Sequence, residues 1–267
     1  MSPNSLHGLH DRAALAARLL RDPAPHLLEL GDLDDLLWPH TSWYATGDEG
    51  PVALLYAVGD TPTVLVSARP ERAAGAEELA AALLPVLPRR FIGHLPDGAA
   101  KVLEGSYRLS GRDTLLRMVL TDPAPTAGHR PGRWEPTVLG RDELPELLGL
   151  FAAAYPGNWF DDRMLDTGQY VGVRHEGRLA AVAGVHAWSP AQRVAVLGNV
   201  TTLPELRGRG AAAACVAALC RRLAETADHI GLNVRADNAT AVRLYERLGF
   251  TGVTTFTEAL FTALPLD

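Results

Sequence analysis

Val200-Thr-Thr-Leu-Pro-Glu-Leu-Arg-Gly-Arg-Gly-Ala-Ala212 leaves an apolar, β-branched stretch and enters an alanine-rich one. Residues 194–202 have the composition of a strand, and 210–227 have the length and spacing of a helix. Arg207-Gly-Arg-Gly210 joins them as a glycine-rich basic turn. The first N–H groups of a helix lack intrahelical acceptors and sit at the positive end of its dipole, so such a turn suits an anion. Glycine lets the backbone approach that anion closely, and Arg207 and Arg209 add positive charge. The plain alternative is a basic turn ahead of a surface helix. Two nucleotide motifs compete and fail on context. Gly208-x-Gly210-x-x-Ala213 has the letters of a dinucleotide fingerprint, but Pro204 and Glu205 separate strand from glycine, and Asp228 precedes the next strand instead of ending it. A phosphate-binding P-loop requires a lysine, and Lys101 is the only lysine in the chain.

Working outward from this stretch, the second half reads as a strand over 134–139, a helix over 142–154 and a shorter helix over 159–165. Strands over 169–174 and 179–188 follow, joined by the hairpin turn His175-Glu176-Gly177-Arg178. After the helix come a strand over 229–234, a helix from its cap at Asn238 to Leu248, and one or two strands over 250–261. The first half gives helices over 11–20 and 26–38, then strands over 43–46, 52–58 and 63–67. A helix over 76–84, a strand over 91–95, a helix over 99–107 and a strand over 114–120 complete it. Asp122-Pro-Ala-Pro-Thr-Ala-Gly-His-Arg-Pro-Gly132 has no apolar period and reads as a linker, giving domains over 1–122 and 133–267 with a linker over 123–132.

The two halves resemble each other. Val66-Ser-Ala-Arg-Pro70-Glu71 lies over Val200-Thr-Thr-Leu-Pro204-Glu205 at one offset, 204 − 70 = 205 − 71 = 134, and both segments leave a strand for an alanine-rich helix. Where the second copy has Arg207-Gly-Arg-Gly210, the first has Ala73-Ala-Gly-Ala76, without the arginines and with one glycine fewer. An anion site in the second copy therefore has no counterpart in the first.

Composition narrows the partners. Apolar residues make up 47% of the 267 and charged residues 21%, the balance of a folded globular chain and not of a disordered one. A formal charge of −6 disfavours nucleic acid and anionic membranes. The amino terminus has no basic segment followed by an apolar core, and the apolar run over 211–220 is too short to span a bilayer. Cys215 and Cys220 lie on nearly opposite sides of one helix, so they read as buried, reduced thiols of a cytoplasmic protein. The paired histidines His7 and His10, His26 and His40, and His94 and His129 lack ligand spacing with cysteines or carboxylates, so no metal site is expected.

Three pieces in order, Val200 to Ala212 as quoted, Asn233-Val-Arg-Ala-Asp-Asn238, and Ala241-Val-Arg-Leu-Tyr245-Glu-Arg-Leu-Gly-Phe250, resemble the signature of the GNAT superfamily of N-acetyltransferases. The tandem layout further resembles the subgroup related to glycine N-acyltransferases. The resemblance implies an α/β (α+β) fold of two GNAT-like domains, each a mixed, mainly antiparallel sheet flanked by helices, with a splayed central strand pair in the second. It implies acetyl-coenzyme A as acyl donor. Val200 and Thr202 would offer backbone groups to its pantetheine arm, and Arg207, Gly208, Arg209, Gly210, Ala211 and Ala212 would hold its pyrophosphate. Asn238 would touch the same arm, cap the helix, or do both. Tyr245, two turns into that helix, would protonate the departing thiolate as a phenol; the alternative is a core tyrosine beside Leu244, Leu248 and Phe250.

A neutral amine must attack the thioester, so a base or a water chain has to take its proton. The family often places a glutamate on the central strand, where this chain has Leu197-Gly198-Asn199. His186 on the preceding strand is the leading substitute, against a structural role, and Asn199 is available to bind an acceptor or a water, or to satisfy the splayed backbone. Asp161, Asp162 and Glu258 are further carboxylates that helix ends and surface positions also explain. Asp32, Asp34 and Asp35 with Trp38, Trp43 and Tyr44 form either solvated helix ends over a local core or a surface for a cationic amine across the domain interface. The expected reaction is direct acetyl transfer to a primary amine of a small molecule or amino acid by a monomer or homodimer. The rivals are a longer acyl chain with glycine or another amino acid as acceptor, and a coenzyme A-binding sensor without turnover.

Overall fold

The computed structural model describes residues 5–265 apart from Leu36, Val58 and Pro131. One residue each of the expected helix over 26–38, strand over 52–58 and linker over 123–132 thus lies outside the described residues. By contacts the chain divides into a first unit of residues 1–118, 234–239 and 252–267 and a second of 119–233 and 240–251.

The first unit begins with β1 (His7–Leu9), α1 (Arg12–Leu19) and α2 (Leu27–Gly31). Asp11 caps α1, its carboxylate accepting from the Ala14 N–H at 3.0 Å. The apolar spacing over 26–38 does not yield one long helix. α2 stops at Gly31, where glycine and three aspartates weaken helical propensity, and Pro39 sits in a separate 3-10 turn, Trp38–His40. Then come β2 (Thr41–Ala45), β3 (Ala53–Tyr56), β4 (Thr63–Val66), α3 (Ala73–Leu83), β5 (Arg90–Leu95), α4 (Asp97–Leu103) and β6 (Tyr107–Leu120). β1 through β4 pair antiparallel in sequence order, and β4 pairs parallel with β5 across α3.

In the second unit, α5 (Ala124–Ala127) falls inside the segment read as a linker, and the Arg221 guanidinium donates to the Thr126 carbonyl at 2.8 Å. β7 (Thr137–Val138), α6 (Leu144–Ala154), β8 (Val171–His175), β9 (Arg178–Ser189), β10 (Val194–Thr202), α7 (Ala211–Leu223), β11 (His229–Arg235) and α8 (Ala239–Arg247) follow. The expected helix over 159–165 is a 3-10 turn, Asp162–Thr167. Glu176 and Gly177 both have positive φ, 50° and 78°, as the two-residue β8–β9 hairpin requires. β7 through β10 pair antiparallel and β10 pairs parallel with β11 across α7, the pattern of β1 to β5.

The repeat seen in the residues therefore extends to topology. Pro70–Arg72 and Pro204–Leu206 are both 3-10 turns, 134 residues apart, each after the strand that makes the parallel pair. α3 starts at Ala73, directly after its turn. α7 starts at Ala211, and the four residues 207–210 come between. β12 (Phe250–Ala263) is a single strand, and from residue 252 onward it belongs to the first unit, where Thr257 to Thr262 pair antiparallel with β5. Its Phe261 ring stacks on Phe91 at 4.8 Å and 4°, and Tyr107 meets Phe91 edge-on at 5.3 Å.

The first unit also buries an ion pair. The Arg117 guanidinium donates to the Pro25 carbonyl and, at 2.8 Å, to Ser67 Oγ, lies over the Phe256 ring at 5.1 Å, and stands 3.9 Å from Glu29. His26 Nδ1 is 3.6 Å from the other Glu29 oxygen. Burial works to raise the Glu29 pKa, but His26, Arg117 and Ser67 outweigh it and hold the carboxyl at about 2. Removing one partner of such a pair leaves an uncompensated charge, so Arg117→Met is expected to destabilise the protein by about 3–5 kcal/mol in chemical denaturation. A depressed carboxyl contributes stability above its unfolded pKa and loses it as pH falls toward the folded one, so this contribution disappears between about pH 4.5 and 2. Arg117→Met should flatten that part of the stability–pH curve.

Candidate active site

β10 and β11 pair only from Val194↔His229 to Leu197↔Leu232, whereas β10 stays on β9 as far as Thr202↔Ala181. Beyond Leu197 the parallel pair has parted, as the splayed fold requires. The ladder of β10 on β9 is irregular at the same place. Its register shifts between Val196 and Leu197, where His186 is an extra residue on β9, and again between Gly198 and Thr201, where Asn199 and Val200 of β10 stand against Ala183 alone, and Asn199 sits at φ 55°, left-handed. Extra residues of this kind bend a strand and re-aim its free edge, and asparagine tolerates the conformation better than most residues. The Leu203 N–H donates to the Ala180 carbonyl at 2.9 Å, so alternation makes Thr202 a non-hydrogen-bonded position whose backbone groups point away from β9. Val200, the other residue expected here, lies within the second register shift and has no paired residue on β9.

The turn after β10 is built on two glycines at positive φ, Gly208 at 72° and Gly210 at 85°. Gly210 is the residue before α7 and supplies no side-chain cap, so the leading amides of this 13-residue helix have no side-chain acceptor there. Trp134, 3% exposed, fixes the turn from below by donating its indole N–H to the Arg209 carbonyl at 2.8 Å. Arg207 is exposed, and its side chain reaches back over the scaffold: Nε donates to the Thr202 carbonyl at 3.3 Å and Nη2 to the Ala154 carbonyl at 3.2 Å. It braces the end of β10 against the end of α6 and occupies the Thr202 carbonyl that sequence reasoning assigned to a ligand.

Around the bulge the structure assembles residues that the sequence did not single out. Tyr170, fully buried, accepts from Asn199 Nδ2 at 2.9 Å and donates to the Val185 carbonyl at 3.3 Å. Asn158 Nδ2 donates to Asn199 Oδ1 at 3.2 Å. The Tyr170 ring covers Gly184, where a Cβ would lie 2.2 Å from Cε1, and burial pushes the Tyr170 hydroxyl pKa up, against the opposing Asn199 bond. His186 covers Gly198 in the same way, 2.1 Å from an imagined Cβ, and meets the exposed Trp159 edge-on at 5.6 Å. His186 and Asn199 are thus neighbours of the parting point. The signal available in the sequence was Gly198-Asn199 within a strand, a pair that favours a bulge. Nothing in the spacing of Tyr170 or Asn158 pointed there.

Tyr245 is buried on α8 with its ring 5.9 Å from Phe250. Burial, then the neighbouring Tyr155 phenol and Cys220 thiol, raise its pKa, so the hydroxyl is protonated throughout the neutral range. Cys215 and Cys220 are free and buried, and burial pushes both thiols up to about 12.

Other candidates have different duties. Asp161 caps the 3-10 turn and binds Arg163 at 2.6 Å, which, against partial desolvation, holds its carboxyl at about 2. Asp162 pairs with Arg141 at 3.4 Å. Glu258 pairs with His94 at 2.7 Å in the first unit. Asn238 is exposed in the turn ahead of α8, within the segment 234–239 that contacts assign to the first unit. Trp38 and Trp43 stack at 6.2 Å beside a groove of about 380 Å³, but the Arg12 guanidinium already lies 5.9 Å over Trp38 and pairs with Asp35 at 2.5 Å. A cation of the protein therefore occupies that surface. No helix among the described residues is long and apolar enough to cross a membrane.

The FR47-like protein family model matches residues 170–258, which run from Tyr170 through the turn and Tyr245. No curated protein matches the chain. Among solved structures, a GNAT-family protein from Novosphingobium aromaticivorans is 28% identical, with 78% of this chain and 91% of that one covered at a TM-score of 0.55. A GCN5-related N-acetyltransferase from Sphaerobacter thermophilus, 15% identical, covers 100% of this chain and 98% of its own at 0.60. A tandem GNAT protein from the clavulanic acid biosynthesis pathway, 16% identical, covers 98% and 99% at 0.54. The chain has the GNAT fold, and the family-model match together with the 28% identical GNAT-family protein supports the GNAT superfamily.

Gly184 is a tight packing constraint beside the bulge, because the Tyr170 ring against it is fully enclosed. Gly184→Ala should cost about 1–3 kcal/mol by overpacking. Denaturant unfolding measures it, and an unchanged midpoint would contradict the packing described.

Proposed function

We propose that the chain transfers an acetyl group from acetyl-coenzyme A to a primary amine of a small molecule or amino acid, at one site in its second unit. The observation that carries this reading is the parting of β10 from β11 beside the uncapped, glycine-led start of α7. The amides of Gly208, Arg209, Gly210, Ala211 and Ala212 suit a pyrophosphate, with the helix dipole behind them. The Thr202 N–H, turned away from β9, suits the amides of a pantetheine arm as part of an extra strand, and the backbone of Val200 would serve the same arm. Arg207 contributes by holding β10 and α6 together and by its charge.

Bound acetyl-coenzyme A supplies an activated thioester carbonyl. Tyr245, held protonated, gives its proton to the departing sulfur, while His186 at the bulge receives the proton of the attacking amine directly or through water. The new N–C bond replaces the C–S bond, with no acyl group carried on the protein. The first copy, whose helix α3 follows its 3-10 turn without the four-residue insertion, has no donor site and serves a structural or substrate-shaping role in this tandem form. The free, buried cysteines fit a reducing cytoplasm, and a monomer or homodimer fits the tandem arrangement. A coenzyme A sensor without turnover is the second reading, favoured by the lack of any carboxylate at residues 197–199.

Calorimetry and steady-state kinetics test the assignment. Acetyl-coenzyme A should bind the full chain, more weakly to Arg207→Ala. Tyr245→Phe should bind it as the parent does but lose about 100-fold or more in kcat. Equal affinity of parent and Arg207→Ala would contradict the pyrophosphate placement, and binding without turnover on any amine would favour the sensor.

A further inference from the structure

We infer that Tyr170 is a positioning residue for the acyl donor: its one hydroxyl locks two β-bulges, one on β9 and one on β10, and so fixes which backbone groups of β10 face the open edge. This rests on the acetyltransferase reading and deepens its donor side.

The ladder of β10 on β9 slips by one residue and then recovers. Val196 pairs with Ala187, but Leu197 pairs with Val185 and Gly198 with Gly184, which leaves His186 over on β9. Thr201 then pairs with Val182 and Thr202 with Ala181, in the register held before the slip, because β10 has by that point spent an extra residue of its own. A strand that spends one extra residue emerges with its two-residue alternation shifted by one. The bulge at Asn199 and Val200 therefore decides that Thr202 turns its N–H to the open edge, while Leu203 donates to Ala180 of β9.

Tyr170 reaches both bulges. It donates to the carbonyl of Val185, the chain neighbour of His186, at 3.3 Å, and accepts from Asn199 Nδ2 at 2.9 Å. The direction is forced, since a carbonyl only accepts and the hydroxyl has one proton to give. Asn158 donates to Asn199 Oδ1 at 3.2 Å, so both ends of the carboxamide are held. They hold an L-residue at φ 55°, a conformation that glycine adopts freely and other residues at a cost. The Tyr170 ring has a fixed seat of its own, fully buried against Gly184 of the slipped segment. A lock on the hydroxyl is thus a lock on the conformation of Asn199.

The test uses the full chain, calorimetry with acetyl-coenzyme A, and amide deuterium exchange over 197–203. Tyr170→Phe keeps the ring and removes the lock, so it should weaken acetyl-coenzyme A about tenfold and speed exchange by a similar factor. Asn199→Ala should do the same. Asn199→Gly reaches the left-handed conformation without a lock, and should bind acetyl-coenzyme A within about threefold of the parent. Adding Tyr170→Phe to Asn199→Gly should then change affinity by less than about twofold, since the lock has nothing left to hold. Unchanged affinity and exchange in Tyr170→Phe, an equal loss from Tyr170→Phe in both backgrounds, or glycine binding more weakly than alanine at 199 would overturn this inference while the acetyltransferase reading stands. The contrast of alanine with glycine at 199 decides it even where Tyr170→Phe does not fold. A parent that binds no acetyl-coenzyme A would overturn both.

Discussion

A strand keeps its neighbour on a free edge only while its backbone alternates regularly, and at Asn199 that alternation stops. One residue held at positive φ, with its side chain tied to the Tyr170 hydroxyl, turns the edge of β10 away from β11 after Leu197. The consequences run in both directions along the chain. Downstream, the Thr202 backbone faces an edge without a partner strand, and the turn at Gly208 and Gly210 leads to the start of α7. Upstream, Gly198 and Gly184 surrender their side-chain space to His186 and Tyr170. Donor and acceptor halves of the proposed site are therefore two results of one backbone feature.

The two copies show what that feature adds to a shared scaffold. Both arrange three antiparallel pairs and one parallel pair with a helix crossing over, and both open the turn before that helix with a proline. Only the second inserts four residues there, two of them glycines in left-handed conformation. The first copy instead invests its interior in packing. Its centre is the stack of Phe91 on Phe261, and its buried charges, Glu29 and Arg117, stand 3.9 Å apart with Arg117 donating to the Pro25 carbonyl.

Much of this was legible in the residues, for reasons that differ by element. Strand 194–202 was read to its observed limits because it is apolar, β-branched and bounded by turn residues, and α7 was read within a few residues for its alanines. The repeat was legible through Pro70 and Pro204, since proline reports on backbone directly. Helix 26–38 was misread because periodicity continued past the glycine and aspartates that end α2. The membership of β12 in the first unit was out of reach, since strand pairing between distant segments leaves no local mark. On the site, the glycine turn was visible because backbone conformation dictated composition. Tyr170 and Asn158 were not, since a single tertiary hydrogen bond imposes no spacing, and Arg207 was read as a ligand group when its first duty is to brace Thr202 and Ala154.

A crystal structure of the full chain with coenzyme A bears most directly on the central claim. The account predicts pyrophosphate oxygens against the amides of residues 208–212, the pantetheine arm along the vacated edge of β10, and the sulfur near Tyr245. Coenzyme A bound away from that edge, or β10 and β11 rejoined beyond Leu197, would contradict it.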